Sequence, residues 1–171
     1  MTVVKVGGSL FDHPCLLPGL RAWRAGIDGP VLFVPGGGAM ADVVREWDRV
    51  HRLGDETSHR LAIRAMAVMG GLLEVIPGCE IFDCQTILID DELPQSWAVT
   101  SDSIAARVTA IRRAARLILL KSLDVPAGTP WPEAAANGWL DDHFPTMASR
   151  LTCPIAVVNF RRWLAENGFG K

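Results

Sequence analysis

A parallel α/β sandwich is the fold this sequence predicts, and three observations carry it. Short apolar, β-branched runs alternate with helical patterns along the chain, as in successive βα units. Runs such as Val31-Leu32-Phe33-Val34 and Leu117-Ile118-Leu119-Leu120 are apolar at every position, as strands buried on both faces are. Two of these runs break into glycine-rich turns, Gly7-Gly8-Ser9 and Gly36-Gly37-Gly38, at what would be one edge of the sheet.

The elements follow in order. Residues 2–10 read as the first strand, and Phe11-Asp12-His13-Pro14 as a turn. Pro14 to Ala25 reads as a helix with Leu16, Leu17, Leu20 and Trp23 on one face. Strand 31–34 leads through the triple glycine into a helix from Ala39 to Leu53, where Met40, Val43, Val44 and Trp47 recur at helical spacing. Gly54 to Ser58 caps a longer helix, 58–76, whose stripe of Leu61, Ala62, Ala65, Met66, Met69 and Leu72-Leu73 reads as core. Glu80-Ile81-Phe82 is a short strand. Thr86 to Ile89 is either another strand or, with Asp90-Asp91-Glu92-Leu93-Pro94 behind it, a helical turn. Trp97-Ala98-Val99 is a strand candidate running into Thr100-Ser101-Asp102-Ser103. Ile104 to Arg116 is a helix with Ile104, Val108, Ile111 and Ala115 inward. Strand 117–120 ends at Lys121-Ser122-Leu123-Asp124. Beyond a proline-rich loop, 125–132, come short helices at 133–137 and 146–151, a strand at 155–159 and a helix at 160–167.

The 171 residues suit a single domain, able to bury about two thirds of its unfolded surface. A formal net charge of −2 gives no general pull toward nucleic acid or membrane. No apolar run reaches transmembrane length, and with a strand reading from residue 2 no signal peptide is expected. Cys15, Cys79, Cys84 and Cys153 form no CxxC pair and have no histidine at finger spacing, so reduced thiols, a cytoplasmic setting and no metal site are expected.

Four strand ends are alike. Lys5-Val6-Gly7-Gly8-Ser9, Gly36-Gly37-Gly38, Thr100-Ser101-Asp102-Ser103 and Lys121-Ser122 each finish in residues suited to phosphate. Glycines let backbone N–H groups approach an anion, and the helix after Gly38 adds its dipole. Phosphoryl transfer needs positioning and charge neutralisation more than covalent chemistry. Lys5 and Lys121 can grip the transferring group from two sides, while Asp102 holds both lysines and helps with Mg2+, or serves as an N-cap for the helix behind it. There is no GxxxxGK[ST] loop, no GxGxxG and no protein-kinase HRD or DFG.

Read together, KVGGS, PGGGAMADVVR, VTSDSIAARV, LILLKSLD and GWLDDHFP, in that order along essentially the whole chain, resemble the amino-acid-kinase superfamily. That group includes acetylglutamate, aspartate and uridylate kinases. The resemblance implies a three-layer αβα sandwich with a mainly parallel central sheet, an acceptor half over 1–99 and a nucleotide half over 100–171. It implies transfer of the ATP γ-phosphoryl group to a phosphate or carboxylate acceptor, with Mg2+. Lys5, Lys121 and Asp102 would be catalytic. Gly7, Gly8, Ser9, Lys121, Ser122 and Asp124 would serve ATP, and Gly36, Gly37, Gly38, His59, Thr100 and Ser101 the acceptor, with Arg64 a further acceptor contact. The SDS, LLKS and DDHFP motifs look most like a small branch that includes the kinase of [5-(aminomethyl)furan-3-yl]methyl phosphate, used in making the methanofuran coenzyme. Where the superfamily continues from its second lysine to an Asp-Gly turn, this chain has Asp124-Val125-Pro126, which implies a shortened nucleotide lobe. Trp131 or Trp139 is then the candidate for stacking on a base. The same shortening gives an alternative: a catalytically silent nucleotide- or oxyanion-binding protein of this fold. A regulatory subunit is a third reading. A homo-oligomer, first of all a dimer, is expected.

Overall fold

The computed structural model describes residues 1–89 and 92–169. Its centre is a five-stranded sheet in the order β3-β2-β1-β4-β5, with all four neighbouring pairs parallel. The strands are β1 (Thr2–Val6), β2 (Val31–Pro35), β3 (Cys79–Ile81), β4 (Arg116–Lys121) and β5 (Ile155–Asn159). The helices are α1 (Leu16–Ala25), α2 (Gly38–His51), α3 (Asp55–Leu73), α4 (Ser101–Ile111), α5 (Trp131–Ala136), α6 (Phe144–Ala148) and α7 (Phe160–Glu166).

Strand side chains alternate between two cores, as the pleat requires. Val3, Leu32, Val34, Leu117 and Leu119 join Ile63, Met66, Ile104, Val108, Phe144 and Met147 on one face. Val4, Val6, Val31, Phe33, Ile118 and Leu120 join Leu16, Leu20, Phe160 and Leu164 on the other. The sheet therefore lies between α4 and α6 on one side and α1 and α7 on the other. Helix α3 bridges the layers, with Ile63 and Met66 in the first core and Leu73 in the second. Lys5 and Lys121 share the pleat parity of Val3, Leu117 and Leu119, so both side chains emerge on the α4 side at the carboxyl edge.

Several elements differ from expectation, each for a physical reason. The first strand stops at Val6: Gly7 N–H donates to Leu120 O at 2.8 Å, and a 3-10 turn over Gly8–Leu10 follows. Thr86–Ile89 falls in a 3-10 segment, Cys84–Ile89, while Asp90 and Asp91 behind it lie outside the described residues. Trp97-Ala98-Val99 is not a strand, because its backbone turns at Ser96, whose carbonyl accepts from Val99 N–H. Helix α4 starts at Ser101 and ends at Ile111, which is 53% exposed instead of inward-facing. On α2 the buried face is Ala41 and Val44, whereas Met40, Val43, Trp47 and Val50 stand exposed. The four cysteines are free thiols. No described helix is long and apolar enough to cross a membrane.

Candidate active site

At the carboxyl edge of the sheet a buried carboxylate joins two lysines. Lys5 Nζ lies 2.8 Å from Asp102 Oδ1, and Lys121 Nζ lies 2.7 Å from Asp102 Oδ2. β1 and β4 are neighbours, and α4 starts directly above them, so three distant positions converge. Asp102 is the second residue of α4 and does not cap it. Its two oxygens each face a lysine, so it bridges the pair. Burial alone would push the Asp102 carboxyl up, but the charges of Lys5 and Lys121 outweigh it and hold the pKa at about 2. Burial pulls Lys5 down from 10.5 to about 8, with Asp102 acting against that fall and the Lys121 charge adding to it.

The glycines do two jobs. A Cβ on Gly36 would lie 2.4 Å from Gly8 N, and one on Gly8 would lie 2.5 Å from Gly38 N, so the two turns pack backbone on backbone. Gly38 also holds φ +51, a left-handed conformation that glycine adopts without penalty. The N–H groups of Gly7 and Gly36 are used within the sheet, donating to Leu120 O and Val6 O at 2.8 Å each. These two glycines therefore shape the site rather than donate to a phosphate. Leu10 N–H bonds Gly7 O and Ala41 N–H bonds Gly37 O, which leaves the preceding N–H groups of Gly8, Ser9, Gly38, Ala39 and Met40 without intrahelical acceptors. Two helix N-termini thus face one region, the arrangement an anion needs.

Two cavities flank this edge. The larger, about 800 Å3, runs between α2, α3 and the approach to α4. Gly8, Ser9, Gly37, Gly38, Thr100 and Ser101 form its polar end, and Met40, Met66, Met69, Leu72 and Trp97 supply much of its apolar wall. His59 lines it too: it is buried, its Nδ1 lies 3.2 Å from Ser96 O, and burial lowers its pKa, which keeps the ring neutral at pH 7. Arg64, in contrast, is exposed and outside the cavity lining. Arg45 lines the cavity, stacking 4.8 Å from the Trp97 ring centroid, while Trp97 Nε1 donates to Asp48 Oδ2. The smaller cavity, about 210 Å3, lies on the other side, lined by Asp124, Val157, Asn159, Arg162 and Trp163. Asp124 is paired there with Arg162 at 2.8 Å and accepts from Asn159 Nδ2. Ser9 Oγ and Ser122 Oγ meet at 2.8 Å between the two loops, and Arg161 braces Ser9 through its carbonyl. Trp131 packs edge-on against Phe144, and Trp139 packs on the core; neither lines either of these two cavities, and Trp163 is the tryptophan at the smaller one.

Sequence reasoning missed Arg45, Arg161 and Asp141. The last belongs to the DDHFP motif, but its partners lie about forty residues back in the chain, and nothing local in the sequence announces them.

No protein-family model matches the chain. It is 27% identical to [5-(aminomethyl)furan-3-yl]methyl phosphate kinase of Methanocaldococcus jannaschii, over 94% of this chain and 88% of that protein. In structure it is similar to the crystal structure of uridylate kinase from Archaeoglobus fulgidus, with a TM-score of 0.67 and 15% identity over 92% of this chain and 89% of that one. The fold is therefore that of a uridylate kinase. The resemblance to the amino-acid-kinase superfamily is borne out twice, once through a kinase similar in sequence and once through a kinase similar in fold.

Proposed function

We propose that this chain is an ATP-dependent small-molecule kinase that transfers the γ-phosphoryl group to a phosphate acceptor. The observation that carries the reading is the Lys5–Asp102–Lys121 bridge, set between a large apolar cavity and a small polar one. In this reading the acceptor sits in the large cavity, with its anionic end at Gly8, Gly37, Gly38, Thr100 and Ser101 and its body against His59, Met66 and Trp97. Gly36 holds the turn closed. ATP lies along Gly7, Gly8 and Ser9 toward Ser122 and Asp124. Lys5 and Lys121 neutralise charge spreading over the transferring group, and Asp102 keeps them apart and aimed. A phosphate acceptor is already ionised, so no general base is required. A phosphate joined to an apolar ring, as in the acceptor named for the sequence relative, suits this lining.

Among the described residues no cluster of His, Cys, Asp and Glu is placed to hold a metal. Mg2+ fits here as a companion of the nucleotide, coordinated largely by phosphates and water. The reading also carries a cytoplasmic setting and a homodimer. The exposed stripe of Met40, Val43, Trp47 and Val50 on α2 supports the dimer.

Thermal unfolding with Mg2+-ATP tests the nucleotide site. Ligand at 100 times its Kd adds about 2.7 kcal/mol, roughly 5–10 °C for a chain of this size. Wild type is expected to shift and Lys121→Ala to lose the shift. A second reading, a silent binding protein, is favoured by the small volume of the nucleotide-side cavity. Binding of nucleotide without turnover on any acceptor would select it.

A further inference from the structure

Asp141 lies in the segment between α5 and α6, 9% exposed, just behind the lysine bridge. Its Oδ2 accepts from Thr100 N, Thr100 Oγ1 and Ser103 N, each at 2.9 Å, and its Oδ1 accepts from Ser103 Oγ. A carboxylate that only accepts is the ionised form. Thr100, the N-cap residue of α4, makes no side-chain cap of its own. The cap comes instead from a carboxylate 38 to 41 residues away. The same segment is tied down a second time, by His143 N–H to Ala98 O at 3.1 Å. Asp102 sits between the two gripped residues. Together Lys5, Lys121, Asp102 and Asp141 form a cluster of two positive and two negative charges.

We propose that Asp141 is a positioning residue for phosphoryl transfer: by gripping Thr100 and Ser103 it fixes the first turn of α4, and with it the Asp102 carboxylate between Lys5 and Lys121. A carboxylate holding two ammonium groups at 2.7 and 2.8 Å works only if its backbone cannot swing. Ordinary capping by Thr100 would secure the helix end but would not tie it to the β4–α6 half of the molecule. Burial and the nearby Asp102 charge raise the Asp141 pKa, and the hydrogen bonds from Ser103 and Thr100 offset only part of that cost.

Two readouts test this, kinetics on Asp141→Asn and titration of Asp102, and only the kinetic one rests on the kinase reading. The side-chain amide keeps the shape but cannot accept at both ends. In folded protein, kcat is expected to fall about 100-fold with KM for ATP within about threefold, the pattern of misplaced reacting groups. Independently, 13C NMR titration of Asp102 in Ser103→Ala, which loosens the grip but keeps the Asp141 charge, is expected to show its midpoint rising from about 2 as the lysines lose their fixed partner. Ser103→Ala removes one of the four bonds and is expected to lower kcat in the same way by less, which keeps the kinetic test open if Asp141→Asn does not fold. A kcat within twofold of wild type in folded protein, with an unmoved Asp102 midpoint, would overturn the proposal even if stability fell. A wild type silent on every acceptor would count against the kinase reading, and the Asp102 titration would then decide the role of Asp141.

Discussion

Lys5 has an ammonium that burial has made easy to lose. With its pKa near 8, the charge needed at the phosphoryl group disappears in mildly alkaline solution. kcat/KM is therefore expected to fall with an apparent pKa close to 8, since that ratio reports the free enzyme. Stability moves the other way. Between about 8 and 10.5 the unfolded chain binds more protons at this residue than the folded one, so the Lys5 contribution rises with pH. Melting curves at the same pH values should show no Lys5-linked loss where activity drops. Asp102 has a slope of the same sign in the acid range: its contribution is complete above 3.8 and is lost as pH falls toward 2. Lys5→Met, which keeps the apolar stem, is expected to lower kcat by about a thousandfold or more and to lower Tm as well, because it leaves one oxygen of the buried Asp102 carboxylate without its partner while Lys121 holds the other. A pH–rate profile without an alkaline limb would contradict the assigned role of Lys5.

The glycine turns and α2 act as elements. Gly36→Ala would force a Cβ to 2.4 Å from Gly8 N and 2.9 Å from Val6 O, both rigid backbone. A loss of about 1–3 kcal/mol or more is expected, read by urea unfolding, together with weaker anion binding, because the two turns can no longer touch. On α2 the four exposed apolar residues predict a dimer in solution, and Trp47→Glu is expected to give a monomer by light scattering coupled to gel filtration. A wild type that is monomeric at micromolar concentration would remove that assignment. Helix α2 also shows where sequence reading stops. Its apolar spacing marks a helix plainly, yet a stripe that faces solvent has the same period as one that faces a core. Trp97-Ala98-Val99 fails for another reason: three apolar residues are too few to separate a strand from a tight turn.

Across the whole molecule, the parts visible in sequence were those that chain continuity encodes. Lys5 before a double glycine and Lys121 after four apolar residues mark two strand ends, and a parallel sheet brings such ends to one edge. The pairing of both lysines with Asp102 followed from the same logic. What stayed hidden depends on contacts between distant segments: the Asp141 grip on α4, the Arg161 brace on Ser9 and the stacking of Arg45 on Trp97. His59 entered the acceptor set through the resemblance alone, because its helix position gives no sign that Ser96 and the large cavity enclose it. The strongest single test joins all scales. Incubation with Mg2+-ATP and [5-(aminomethyl)furan-3-yl]methyl phosphate, followed by 31P NMR, is predicted to show ADP and a new diphosphate ester with wild type and neither with Lys5→Met. Product formation undiminished in Lys5→Met, or none with wild type across phosphate and carboxylate acceptors, would contradict the account.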